Sequence, residues 1–107
     1  MTITQTKLDL LSASKAMASL GHETRLQIFK LLVEKAPHAY TVGEIKELLA
    51  IPGTTLNFHL KELAAVNLIE QWQESRYVHC RANISSMNQL IQFLTDNCCQ
   101  GTPCHDC

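Results

Sequence analysis

Four of the chain's five cysteines fall in its last ten residues, Cys98-Cys99-Gln100-Gly101-Thr102-Pro103-Cys104-His105-Asp106-Cys107. Thiolates are soft ligands and select soft metals and metalloids. Adjacent Cys98 and Cys99 can both reach one centre, and the Gly-Pro loop lets Cys104 fold back as a third ligand. Three thiolates suit trivalent arsenic or antimony, which holds them in a pyramid with its lone pair at the apex. Zinc and cadmium want four ligands in a tetrahedron, and Cys107 or His105 can complete that set. An organic arsenical such as methylarsenite needs only two thiolates. Two thiols can also oxidise to a disulfide and act as a redox switch. The residues alone leave these chemistries open. Cys80 lies in strand-like sequence away from the tail and reads as a small core residue.

A different chemistry belongs to the stretch from Thr41 to Asn67, TVGEIKELLAIPGTTLNFHLKELAAVN. Thr41-Val42-Gly43-Glu44 is a capping-box pattern, so a helix opens there, with Ile45, Leu48 and Leu49 as its apolar face. Ile51-Pro52-Gly53 stops it, because proline cannot continue a helix and disfavours helix in the residue before it. A second helix starts at about Thr54, with Leu56, Leu60 and Leu63 facing the core. This is a helix-turn-helix pattern, whose second helix can lie in the DNA major groove. The opposite face carries Thr54, Asn57, Phe58 and Lys61. Thr and Asn can hydrogen-bond base edges, Lys61 can meet a phosphate, and an exposed Phe58 can touch a thymine methyl. His59 lies beside the apolar stripe and reads as a packed histidine rather than a ligand.

The rest of the chain must position these two sites. Leu8 to Leu20 is a helical pattern with Leu10, Ala13, Met17 and Leu20 along one side, broken by Gly21. Glu23 to Lys35 is a second helix, with Leu26, Phe29, Leu32 and Val33 apolar, closed by Pro37. Leu68 to Arg81 is rich in Ile, Trp, Tyr and Val and reads as a β-hairpin turning at Gln73-Glu74-Ser75-Arg76. Trp72 and Tyr77 read as packing between hairpin and core, and Arg76 near the tip can reach the sugar-phosphate backbone or a minor groove. Ser85 to Asn97 is a final helix capped by Ser85, with Met87, Leu90, Ile91 and Leu94 apolar. The order α-α-α-α-β-β-α makes the chain α+β and mainly α, a winged helix-turn-helix with the hairpin as its wing. Residues 1–97 are then expected to be the DNA-binding and dimerisation domain, and residues 98–107 a cysteine-rich tail that can bind a metalloid.

Composition bounds this reading. A chain of 107 residues holds one domain, and 46% hydrophobic residues support a folded core. With only 6% aromatics that core is mainly Leu, Ile, Ala and Val, marginal alone and helped by dimerisation. The net charge of −1 is not the basic footprint usual for nucleic-acid binding, so DNA affinity must come from local placement and from two copies of the site. No apolar run approaches the roughly 20 residues that cross a bilayer, and Met1 to Leu11 lacks a signal-peptide pattern. A reducing cytoplasm is therefore expected, where thiols bind metals or sense redox state more often than they staple a fold. No nucleophile–base pair, phosphate loop or paired acidic site points to an enzyme or an organic cofactor.

Three segments together resemble the ArsR/SmtB family of bacterial metal-responsive repressors. Ala18 to Ile28, ASLGHETRLQI, is similar to the start of the family's second helix. Thr55 to Leu63, TLNFHLKEL, with Asn67-Leu68-Ile69, is similar to its recognition helix running into the wing, and Arg76-Tyr77-Val78 to the wing itself. The resemblance implies a symmetric dimer, made by the first and last helices, that binds double-stranded operator DNA and releases it when a metal binds. It adds Thr55 to the DNA-contacting set of Thr54, Asn57, Phe58, Lys61 and Arg76. The family's Cys-Val-Cys arsenic motif is absent, since that stretch reads Thr41-Val42-Gly43, and the last helix lacks the histidines of the family's zinc site. Some members place a cysteine pair and a third cysteine just after the last helix and sense trivalent arsenic. Cys98, Cys99 and Cys104 resemble that arrangement, with Cys107 as a spare ligand and As(III) or Sb(III) as the inducer. Competing expectations are a repressor responsive to organoarsenicals, zinc or cadmium, or thiol redox, and a winged-helix module that binds protein instead of DNA.

Overall fold

A computed structural model describes residues 8–101. Helix α1 (Leu10–Leu20) opens on Asp9, whose carboxylate accepts from the Ser12 amide at 2.7 Å. That bond holds the Asp9 carboxyl below the usual carboxylate range. The expected apolar side of α1 is split. Ala13, Ala16 and Ser19 are buried, while Leu10 and Met17 remain 74% and 45% exposed. Small side chains on the inner face let α1 lie close against its neighbours, so the large ones are left outside.

Helix α2 (Glu23–Lys35) starts at His22, whose Nδ1 accepts from the Thr24 amide at 3.2 Å. Its inner face is Ile28, Phe29 and Leu32; Leu26, expected inside, is exposed. A two-residue strand β1 (Tyr40–Thr41) follows, which the sequence reading lacked. Its Thr41 also caps helix α3 (Val42–Leu49). The capping box is complete: the Glu44 amide donates to Thr41 Oγ1 at 3.1 Å, and the Thr41 amide donates to Glu44 Oε1 at 2.8 Å. Ala50 ends α3 in the left-handed region, φ 54°. Helix α4 (Gly53–Ala65) begins one residue before the expected Thr54, with no side-chain cap.

Strands β2 (Ile69–Glu74) and β3 (Tyr77–Ala82) form the wing, with Glu74 opposite Tyr77 across a two-residue turn of Ser75 and Arg76. Ser75 takes φ 62°, the positive value such tight hairpins need. The sheet order is β1-β3-β2, all antiparallel, so β1 ties the start of α3 to the wing. Helix α5 (Ile84–Thr95) is capped by Asn83, which accepts from the Ser86 amide at 3.2 Å, and not by the expected Ser85. Asn83 also closes back on the body of the fold, its amide donating to the Leu68 carbonyl at 2.9 Å. The centre of the core is Ile28, Leu32, Ile45, Leu56, Leu60, Leu63, Leu68 and Cys80. Five helices and a small sheet thus wrap one apolar centre, in the winged helix-turn-helix order.

Candidate nucleic-acid interface and thiol site

Leu56, Leu60 and Leu63 are fully buried, and that anchoring decides which side of α4 faces outward. Thr54, Thr55, Asn57 and Lys61 are exposed there, and Phe58 is 54% exposed. The five residues form one mixed polar and aromatic stripe on a rigid element. Lys46, from α3, brings its ammonium beside the start of α4, 3.9 Å from where a Cβ on Gly53 would stand. Sequence spacing did not single out Lys46, because only the packing of α3 against α4 brings it beside Gly53.

Arg76 occupies the wing turn and is exposed. The other wing charges are internally engaged. Arg81 donates to Glu70 at 2.7 Å and lies 5.0 Å over the Trp72 ring. Trp72 stacks on His79 at 5.6 Å and 14°, and its Nε1 donates to Glu74 at 3.2 Å. Trp72 therefore packs within the wing and not against the core, and Tyr77 is 57% exposed at its end.

His59 is buried, as its place beside the apolar stripe implied, but it has partners that sequence reading missed. Arg25 Nε donates to its Nδ1 at 3.2 Å, and the His22 ring lies 4.6 Å away. Burial first, then the neighbouring His22 and Arg25, push His59 below the ordinary imidazole value, while Glu62 pulls the other way. Residues 34 positions apart carry no periodic signal, so only the fold brings Arg25 to His59.

The thiol site begins where α5 ends. A short 3-10 turn, Cys98–Gly101, contains left-handed Cys99 and Gln100, at φ 57° and 56°, just after left-handed Asn97 at φ 60°. This tight winding puts both thiols on the surface with their sulfurs 3.4 Å apart. The shared hydrogen bond, more than burial, raises the Cys99 thiol above its ordinary value. Among the described residues no three His, Cys, Asp or Glu side chains are grouped to hold a metal. The third and spare ligands expected from sequence, Cys104 and Cys107, lie outside the described residues, as does His105. Cys80 is fully buried, accepts from Gln71 Nε2 at 3.4 Å, and has its thiol pushed up by burial. It stands in the core, as its strand context implied. Among the described residues no helix is long and apolar enough to cross a membrane.

A family model described as a helix-turn-helix domain matches residues 20–71. No curated protein matches the chain. Among solved structures, an ArsR-like transcriptional regulator from Rhodococcus sp. RHA1 is similar at 23% identity and TM-score 0.69, over 78% of this chain and 76% of that one. HlyU from Vibrio cholerae N16961 is similar at 24% identity and TM-score 0.67, over 84% of this chain and 95% of that one. A homodimeric winged helix-turn-helix DNA-binding domain from Mycobacterium bovis, described as a possible ArsR-family transcriptional regulator, covers 97% of this chain and 99% of its own. It is 21% identical, with TM-score 0.67. At these identities the likeness is one of fold.

Proposed function

This chain carries a helix-turn-helix domain in the winged fold of the ArsR-type regulators, and we propose that it works as one of them: a homodimeric repressor that holds operator DNA and releases it when trivalent arsenic or antimony binds its tail thiols. It is a DNA-binding transcriptional regulator of the ArsR type and not an enzyme. The observation that carries the DNA reading is the outer stripe of α4, where Thr54, Thr55, Asn57, Phe58 and Lys61 are all exposed on a helix anchored by buried leucines. Arg76 at the wing tip adds a cation for the neighbouring backbone. The nearly neutral charge of the whole chain is met by this local placement and by the doubling of sites in a dimer.

The observation that supports the inducer reading is the exposed Cys98–Cys99 pair with sulfurs 3.4 Å apart. Two soft donors at that spacing can share one metalloid, and Cys104 is the third ligand of the reading. Arsenite enters as its trihydroxide; each thiol displaces one hydroxyl as water, with no change of oxidation state. The same contact favours a second reading, in which an oxidant takes two electrons and the two thiol protons and leaves a Cys98–Cys99 disulfide.

The test is a gel shift on the DNA upstream of the protein's own gene, titrated with arsenite. Binding without arsenite and release with it are expected. Cys98→Ser and Cys99→Ser should each keep DNA binding and lose the arsenite response. Cys104→Ser should blunt the response to arsenite and spare that to methylarsenite. Full release from the Cys98→Ser/Cys99→Ser double variant would refute the tail as the sensor, and release by oxidant alone would select the redox reading.

A further inference from the structure

One side chain, Arg25 of α2, joins three helices. Its Nε donates to His59 Nδ1 on α4 at 3.2 Å, and its Nη1 donates to the Ser19 carbonyl near the end of α1 at 3.4 Å. Its guanidinium carbon stands 5.6 Å from the centre of the Phe58 ring, close enough for a cation–π contact. Phe58 belongs to the outer stripe of α4, while His59, the next residue, is buried. Arg25 therefore grips α4 from both sides of its surface and ties it to α1.

We propose that Arg25 is a positioning residue for DNA recognition: it clamps α4 onto α1 and holds the Phe58 ring, and the clamp stands only while His59 Nδ1 carries no proton. This rests on the DNA-binding reading above. An accepting Nδ1 requires neutral imidazole. A proton there removes the acceptor and sets an imidazolium against the Arg25 guanidinium, with His22 4.6 Å away. Of the ionisable groups that face His59, Arg25 and His22 oppose the proton, and Glu62 alone favours it. When the proton arrives, Arg25 must withdraw; Phe58 loses its cation and α4 loses its polar link to the Ser19 carbonyl of α1, leaving only their packing contact.

The sign of the effect is distinctive. Protonating exposed histidines adds positive charge and strengthens attraction to phosphates. The clamp predicts the reverse, an operator affinity that falls in acid. Linkage gives the same direction for stability. The folded state keeps His59 neutral, while the unfolded chain takes a proton as pH falls through the ordinary value of 6.5, so stability declines below that pH.

The experiment measures operator affinity by fluorescence anisotropy between about pH 8 and about pH 5.5, with circular dichroism melts to confirm folding. The unsubstituted protein should bind about tenfold more weakly at the acid end. His59→Gln keeps an acceptor that does not titrate and should flatten this ratio. Arg25→Lys keeps the charge but not the fork, and should weaken operator binding where His59 is neutral while leaving non-specific DNA binding in place. By NMR without DNA, the His59 ring should titrate below the ordinary histidine value of 6.5. A pH ratio unchanged by His59→Gln, or a His59 ring that titrates at or above that ordinary value, overturns this inference alone. Failure of the unsubstituted protein to bind DNA at any pH overturns the DNA reading and this inference with it.

Discussion

Lys61 and Asn57 stand one helical turn apart on α4 and are expected to do different work. An ammonium on a flexible stem meets phosphates and carries little sequence information, whereas a short amide can pair with an adenine edge. Lys61→Ala should therefore weaken binding to every DNA sequence and lower the salt slope by about one per half-site. Asn57→Ala should cost about 1–3 kcal/mol at one base position and little elsewhere. Both side chains are exposed and neither belongs to the core, so the melting temperature serves as a control that should not move. Anisotropy titrations at several salt concentrations separate the two effects. Unchanged affinity in both variants would remove α4 from the groove. Cys80 illustrates the opposite residue type. Its thiol is enclosed and bonded to Gln71, so it serves packing while the exposed pair at the end of α5 is free to meet a ligand.

Among the elements, α3 shows the tightest link between sequence and structure. The Thr41–Glu44 box was legible because both partners lie within one helical turn, and both bonds are present. Thr41→Ala should cost about 1 kcal/mol, lowering the melting temperature by about 4–8 °C. The Glu44 carboxyl is held below its ordinary value first by the Thr41 amide. Its contribution is therefore complete above the ordinary 4.5 and is lost as pH falls below that. A thermal melt of the Thr41→Ala variant that overlays the unsubstituted protein would show the cap to be idle. Where partners are distant in sequence, less was legible. The α5 start was assigned to Ser85 because serine is a good cap, but Asn83 is better placed since its own amide is already anchored to Leu68. Strand β1 is only two residues long, too short for an alternation signal, and exists because Tyr40 and Thr41 find Cys80 and His79 across the sheet. Helical periodicity located the outer stripe of α4, whereas the Arg25–His59 contact needed the folded arrangement of α2 against α4.

At the scale of the whole molecule, five of the nine large apolar side chains exposed among the described residues lie on the two terminal helices. Leu10, Leu11 and Met17 on α1 are 74%, 64% and 45% exposed, and Ile91 and Leu94 on α5 are 50% and 58% exposed. Leu90, in contrast, is used by the core of the single chain and Met87 is half-buried against it. Helices α1 and α5 pack on each other, so these residues can form one surface. Association through that surface would bury what a lone chain exposes. Sedimentation at about micromolar concentration should find a dimer, and a monomer there would sink the assignment of α1 and α5 as the interface. The same geometry says how a thiol ligand could act at a distance. Cys98 stands three residues past the end of α5, so a metalloid closed by the tail thiols would pin the end of a helix assigned to the interface. Operator half-sites lie about one helical turn, roughly 34 Å, apart, and a modest shift of α5 against its symmetry mate would spoil both half-sites together. A hundredfold loss of DNA affinity requires the metalloid to prefer the released dimer by about 2.7 kcal/mol, within the usual range of coupling between sites. Reciprocity then fixes the last expectation: saturating operator DNA should weaken arsenite binding by the same factor, measured by competition with a chromogenic thiol reagent. Equal arsenite affinity with and without DNA would show that the tail and the recognition helices are not coupled.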